Sequence, residues 1–395
     1  MHAQRIQISS AMLLRAQATL ALLLGLALTG CRPHDFPVYP AKYREYAYVS
    51  NGGSNTVTVL DVVNLRVDRT VRVGANPTGV AVNPRRNEVY VVNSGSGTIS
   101  VIDAEKNSVT ATIPVHAKPY FISVSADGKR GYVANAGSNN VSVLDLQAHR
   151  EIATIGVGEA PGLAKISPDG HTLVVSNRLG NSVSVVDADT LRVRSVFGGC
   201  PGATDIVILP QSQKAFIACS GGHQVMVLRL AQHEAAPTSP DTENTDALLD
   251  FLDVGKTPIA LTMKPDSGEI FVSNFDSNSI SEIATGTNEV GGAYMVGTHP
   301  VNGIVSADNT TLYISNFDAS SVGIYSVDEA RLMGDARAGD GPDAMAFSKA
   351  GHLLFVADSR SGDVAVIRTL MHSLFTMLPA GNQPNAIAVK SFTAR

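Results

Sequence analysis

The residues of this 395-residue chain that could do chemistry are few and scattered. His223, His299, Asp276 and Asp318 have side chains suited to a divalent cation, but no metal-ligand spacing links them, so no metal centre is expected. No Cys-x-x-Cys-His attaches a haem, no Gly-x-Ser-x-Gly presents a nucleophile, and no Ser, His and Asp are spaced as a triad. The glycine-rich segments separate strand-like runs and never open a helix, so they form no phosphate loop. No cofactor is expected, and the balance leans against an enzyme.

The three cysteines suggest two kinds of chemistry. Arg5 and Arg15 precede an apolar run, Leu20 to Leu28, too short to span a bilayer as a stable helix; residues 1–30 read as a signal peptide. The run ends in Leu28-Thr29-Gly30-Cys31, similar to the bacterial lipobox, which makes Cys31 the expected lipidated N-terminus of an exported protein on the periplasmic or surface side of a membrane. Pro33, Pro37 and Pro40 exclude helix and make residues 31–45 an extended tether. Cys200 and Cys219 then remain as an even pair on neighbouring strands, about two residues out of direct opposition, with a disulfide and a buried free pair both open. Losing the signal's two arginines leaves 28 basic against 35 acidic residues, and the net −7 argues against nucleic-acid binding.

An eightfold repeat must position these side chains. Tyr48-Val49-Ser50-Asn51 recurs as Tyr90-Val91-Val92-Asn93, Tyr132-Val133-Ala134-Asn135, Val174-Val175-Ser176-Asn177, Phe216-Ile217-Ala218-Cys219, Phe271-Val272-Ser273-Asn274, Tyr313-Ile314-Ser315-Asn316 and Phe355-Val356-Ala357-Asp358. The spacing is 42 residues throughout except for one interval of 55. Each unit holds four short strand signals, the first entered through Pro77, Pro119, Pro161, Pro201, Pro258, Pro300, Pro342 or Pro384 and left through turns such as Ser125-Ala126-Asp127-Gly128. Four antiparallel strands per 42 residues make a propeller blade. The expectation is therefore one all-β, closed β-propeller of eight four-stranded blades over residues 46–391. The first unit lacks its first strand, and the C-terminal Pro384 to Val389 segment supplies it. The long interval places an insertion near Gln232 to Asp246, on the face opposite the usual binding face.

These tetrapeptides, with the proline entry and the Asp-Gly turn, resemble the YVTN-repeat β-propellers over nearly all of Tyr46 to Ser391. Many relatives have seven blades, which is the alternative count. In propellers the loops into strand one and those between strands two and three surround the channel mouth, so ligand-binding candidates are Asn76, Lys118, Glu159, Arg178, Lys256, His299, Asp340, Asp343, Arg360 and Asn385. Cys200, Gln383, Tyr120, Asn302, His223, Phe275, Asp276, Phe317 and Asp318 share that face. The expected function is noncatalytic binding or scaffolding for a partner protein, peptide or cell-envelope component, by a monomer. The resemblance also implies an alternative, a lactonase-like enzyme using Glu159, Asp340, Asp343, His299 and Arg360. Architecture alone adds a haem-binding propeller with His299 as axial ligand, since nitrite-reductase haem domains also have eight blades.

Overall fold

Strands β1 (Tyr43–Asn51) to β32 (Pro384–Thr393) arrange into eight four-stranded antiparallel sheets in a computed structural model that describes residues 36–233 and 244–394. The signal segment, Cys31 and the middle of the inserted loop lie outside the described residues. Among the described residues no helix is long and apolar enough to cross a membrane.

Blade 1 is assembled from both ends of the folded unit, in the order β3 (Arg66–Arg72), β2 (Thr56–Asp61), β1, β32. The register runs from Tyr43 opposite Thr393 to Asn51 opposite Pro384, with a bulge at the Asn51 end. Pairing of Tyr43 to Glu45 with Ser391 to Thr393 extends both strands past the 46–391 expected from sequence, because the two termini complete each other's hydrogen bonds. Blades 2 to 8 follow in chain order, each running from strand one at the channel to strand four at the rim.

Burial explains the strand types. The second and third strands of each blade are covered on both faces by neighbouring blades, so they read as continuous apolar runs; Val89 to Val92 and Leu353 to Ala357 are fully buried. The core consequently lies between blades: Tyr48, Val57 and Val59 of blade 1 pack against Val80, Val89, Val91 and Ile102 of blade 2. Fourth strands have one wet face and alternate, as in Arg150–Gly156. The Asp-Gly turns form as expected: Gly128 adopts φ +69° and donates to the Ser125 carbonyl, while Asp127 accepts the Lys129 N–H.

Seven of the eight entry prolines begin their strands. In blade 5 the strand is Ala203–Ile208, and Ala203 pairs with Cys219 as Pro77 pairs with Asn93, so Pro201 sits two residues ahead of the entry and not at it. Cys200 and Cys219, both fully buried, are joined by a disulfide with Cα atoms 4.8 Å apart. Cys219 takes the place that asparagine holds in six other blades. In five of these the buried Asn amide donates to strand-three side chains, as Asn93 does to the Thr98 and Ser100 hydroxyls.

Candidate functional site

The channel mouth is built by a repeated backbone device. The residue before each strand-one entry has left-handed backbone: Asn76, Lys118, Ala160, Gly202, Thr257, His299, Gly341 and Gln383, with φ between 48° and 68°. That turn aims each carbonyl at the loop between strands two and three, where Ser94, Ala136, Arg178, Ser220, Phe275, Phe317, Ser359 and Gly52 donate their N–H groups. The two loop sets are thereby tied into one rim. Exposed Asn76, Lys118, Glu159, Lys256 and Asp340 stand on it, spread around the ring and not gathered.

Below the rim, a bulge at each strand-one start turns the next residues toward the axis, for example between Pro342 and Met345. They enclose a hollow of about 520 Å³ whose wall includes Tyr120, Phe121, Leu163, Asp205, Asn302 and Asp343, with Arg178 reaching in from the blade 4 loop. Blades are stitched together here. Thr78 donates to the Tyr120 carbonyl at 2.8 Å, and Asn385 donates to the Pro77 carbonyl at 2.9 Å while accepting from Ser50. Asp205 accepts the Leu261 N–H of the next blade at 2.9 Å; burial pushes its carboxyl up, and Lys165 opposes this.

Three groups in the hollow are not committed in this way. The Asp343 carboxyl and the Arg178 guanidinium make no hydrogen bond or ion pair among the described residues, and Tyr120 is half exposed. Asp343 is half-buried at the channel wall, and desolvation by the surrounding protein pushes its carboxyl up to about 6. Burial also raises the Tyr120 phenol; Arg178 lowers it, while Asp343 and Asp205 add to the rise. Gly162 makes the room for Arg178, since a Cβ there would lie 2.7 Å from Arg178 Cδ.

The other candidates engage one another. Asp318 pairs with His299 and with Arg360, the latter at 2.6 Å, and together they hold its carboxyl below the usual carboxylate range. Arg360 also reaches Asp340 at 3.5 Å and lies 4.3 Å from the Phe317 ring centre, while Phe275 stacks on His299 at 4.2 Å. This network ties blades 6, 7 and 8 at the rim and leaves its charges mutually satisfied. His223 accepts the Thr257 N–H and Asp276 the Thr257 hydroxyl.

Sequence reading missed Asp205 and Thr204. The proline signal was two residues out of place in blade 5; alignment on Cys219 would have put both at the channel-facing positions held elsewhere by Tyr120-Phe121 and Asp343-Ala344.

Fold and site together define a β-propeller with an ionisable hollow at one end of its channel. Comparison with known proteins agrees on the fold. The model of a family described as YNCE-like beta-propeller matches residues 26–167, and one described as Lactonase, 7-bladed beta-propeller matches residues 302–373. This chain has eight blades. No curated protein matches it. Among solved structures, it resembles dihydro-heme d1 dehydrogenase NirN in complex with DHE at 16% identity and TM-score 0.73, over 92% of this chain and 78% of that one. Apo AztD from Citrobacter koseri is similar at 14% identity and TM-score 0.68, over 88% and 98%. Hydrazine synthase of Kuenenia stuttgartiensis is similar at 21% identity and TM-score 0.55, over 82% and 92%. At these identities the likeness is one of fold.

Proposed function

We propose that this chain is an exported, lipid-anchored propeller of the YVTN-repeat type that acts by binding, with its ligand seated in the channel mouth. The observation that carries this reading is the unpaired state of Arg178 and Asp343 in a hollow where Thr78, Asp205 and Asn385 are hydrogen-bonded to neighbouring blades. Uncommitted charges in a concave site are ligand contacts in waiting. They suit a polar, peptide-like segment of a partner protein or cell-envelope component that brings a carboxylate to Arg178 and a hydrogen-bond donor to Asp343. Among the described residues, neither Asp343 nor Arg178 in the hollow meets an acid–base partner within hydrogen-bond reach, which favours binding over turnover.

The test is capture of an envelope component by the full-length protein, compared with Arg178→Glu and Asp343→Asn. The expected outcome is a ligand held by the parent and lost from Arg178→Glu; one held equally by all three would refute the channel-mouth site. Export and anchoring are tested by labelling cells with a radioactive fatty acid, which marks the parent and not Cys31→Ala.

One observation favours a second reading, a lactonase-type hydrolase: Asp343, with its carboxyl near 6, lies within the segment matched by the lactonase family. A general base poised near neutral pH would fit that chemistry. Lactone hydrolysis by the parent that Asp343→Asn abolishes would replace the binding reading with this one.

A further inference from the structure

The face opposite the channel mouth carries a second cluster that takes no part in the site above. His171 follows the turn between strands one and two of blade 4, Asp189 lies in that blade's turn between strands three and four, and His233 stands on blade 5 just before the inserted segment. Both imidazoles address one carboxylate oxygen. His171 Nδ1 is 2.7 Å and His233 Nδ1 3.4 Å from Asp189 Oδ2, and one ligand atom from each of the three residues lies within 4.8 Å of the others.

The chemistry of this trio is that of a metal shell. At bond lengths of 2.0–2.1 Å, neighbouring ligand atoms around a tetrahedral ion are about 3.4 Å apart, and those here all lie within 4.8 Å of one another. The two imidazole rings stack with centres 3.8 Å apart and planes 2° from parallel. Neutral imidazole is the ligating form of histidine. An ion must lie near the plane of each ring that binds it. His233 therefore has to turn out of the stack, and its side chain, 46% exposed, has room to do so.

The backbone that presents His233 is already braced. Asn244 holds Gln232 from both sides, accepting its N–H at 2.7 Å and donating to its carbonyl at 2.6 Å. Asp246, nearly inaccessible, binds Arg194 through two contacts of 2.7 and 2.8 Å and accepts the Ala231 N–H. The two stems of the insertion are thus tied to each other and, through Arg194, to blade 4, and the histidine at its start is delivered next to blade 4. We propose that His171, Asp189 and His233 bind a divalent transition-metal cation of the zinc class, the remaining position being left for water or a donor from a partner.

The experiment is titration of chelator-treated full-length protein with zinc chloride by calorimetry, alongside His171→Ala, Asp189→Asn, His233→Gln and an exposed control, His116→Ala. One equivalent should bind to the parent and the control. Affinity should fall at least tenfold in each of the other three, and cobalt(II) should give the visible bands of a low-coordinate nitrogen and oxygen site in the parent and the control only. His233→Gln keeps the proposal testable if a blade 4 substitution misfolds, because His233 is exposed. Absence of zinc binding to the parent, or one equivalent held with unchanged affinity by all three variants, would overturn it.

Discussion

Replacing Asp358 by asparagine should stabilise this protein, and increasingly so as pH rises. Asp358 closes strand two of blade 8, fully buried, where six blades have asparagine. Five of those asparagines donate to side chains five and seven residues on; Asn177, for instance, reaches Ser182 and Ser184 at 3.1 and 2.9 Å. The equivalent positions in blade 8 are Asp363 and Ala365. Asp358 accepts the Ala365 N–H at 3.0 Å and faces a second carboxylate with no amide to offer. Burial foremost, with Asp363 adding to it, pushes the Asp358 carboxyl up to about 8, against the backbone N–H groups of Gly339 and Ala365. At neutral pH the group therefore stays protonated, and its proton does the work of the missing amide.

The sign follows from linkage. The folded carboxyl titrates near 8 and the unfolded one near an ordinary aspartate's 3.8, so between them the native state binds the extra proton and stability falls as pH rises. The slope is at most about 1.4 kcal/mol per pH unit, which bounds the change from pH 5 to 8 at about 4 kcal/mol. Asp358→Asn removes that slope while restoring the donor. Urea unfolding of parent and variant at pH 5, 6, 7 and 8 isolates the difference, because other titrating groups cancel. The stability gap should widen in favour of the variant up to pH 8 and then level off. A gap independent of pH, or a variant weaker than the parent throughout, would refute the assignment.

Three further perturbations are expected to have distinct effects. Converting Cys200 and Cys219 together to serine opens a link spanning 19 residues and should cost about 3 kcal/mol, read as a lower urea midpoint that no longer responds to reductant. Deleting residues 382–395 removes β32 and leaves β1 with an open edge; calorimetry should show a lower and broader unfolding transition, and a melt as hot and cooperative as the parent's would contradict ring closure. Gly162→Val should displace the Arg178 side chain, weakening capture of the channel-mouth ligand while leaving the melting temperature within a few degrees.

The blade count, the ring closure and the identity of the rim loops were legible because each rests on a local signal repeated many times: the Tyr-Val-x-Asn strand, the entry proline and the Asp-Gly turn. What was not legible depends on relations between blades. Ten loop residues read alike as polar candidates, yet His299, Asp340 and Arg360 gather around Asp318, while Arg178 and Asp343 stand apart in the hollow. Side-chain type does not say which neighbour across a blade boundary will be met. Asp205 was hidden by a misplaced proline, and the His171, Asp189 and His233 group by distances along the chain that only the blade 4 to blade 5 packing shortens.

An eightfold repeat also supplies its own controls. Positions within the sheets meet the same neighbours in every blade, so one packing solution recurs: asparagine or its substitute at the end of strand two, buried in all eight. The first channel-facing position meets no such constraint, and it varies without pattern: Thr78, Tyr120, Gly162, Thr204, Ile259, Val301, Asp343 and Asn385. Where the fold ceases to dictate the side chain, the ligand is free to do so. That logic singles out Tyr120 and Asp343, which serve no repeated structural bond, and Arg178, whose guanidinium reaches over a glycine found at this position in blade 4 alone. It also singles out the longest interval of the repeat, where added chain has been accepted next to His233 in one blade of eight.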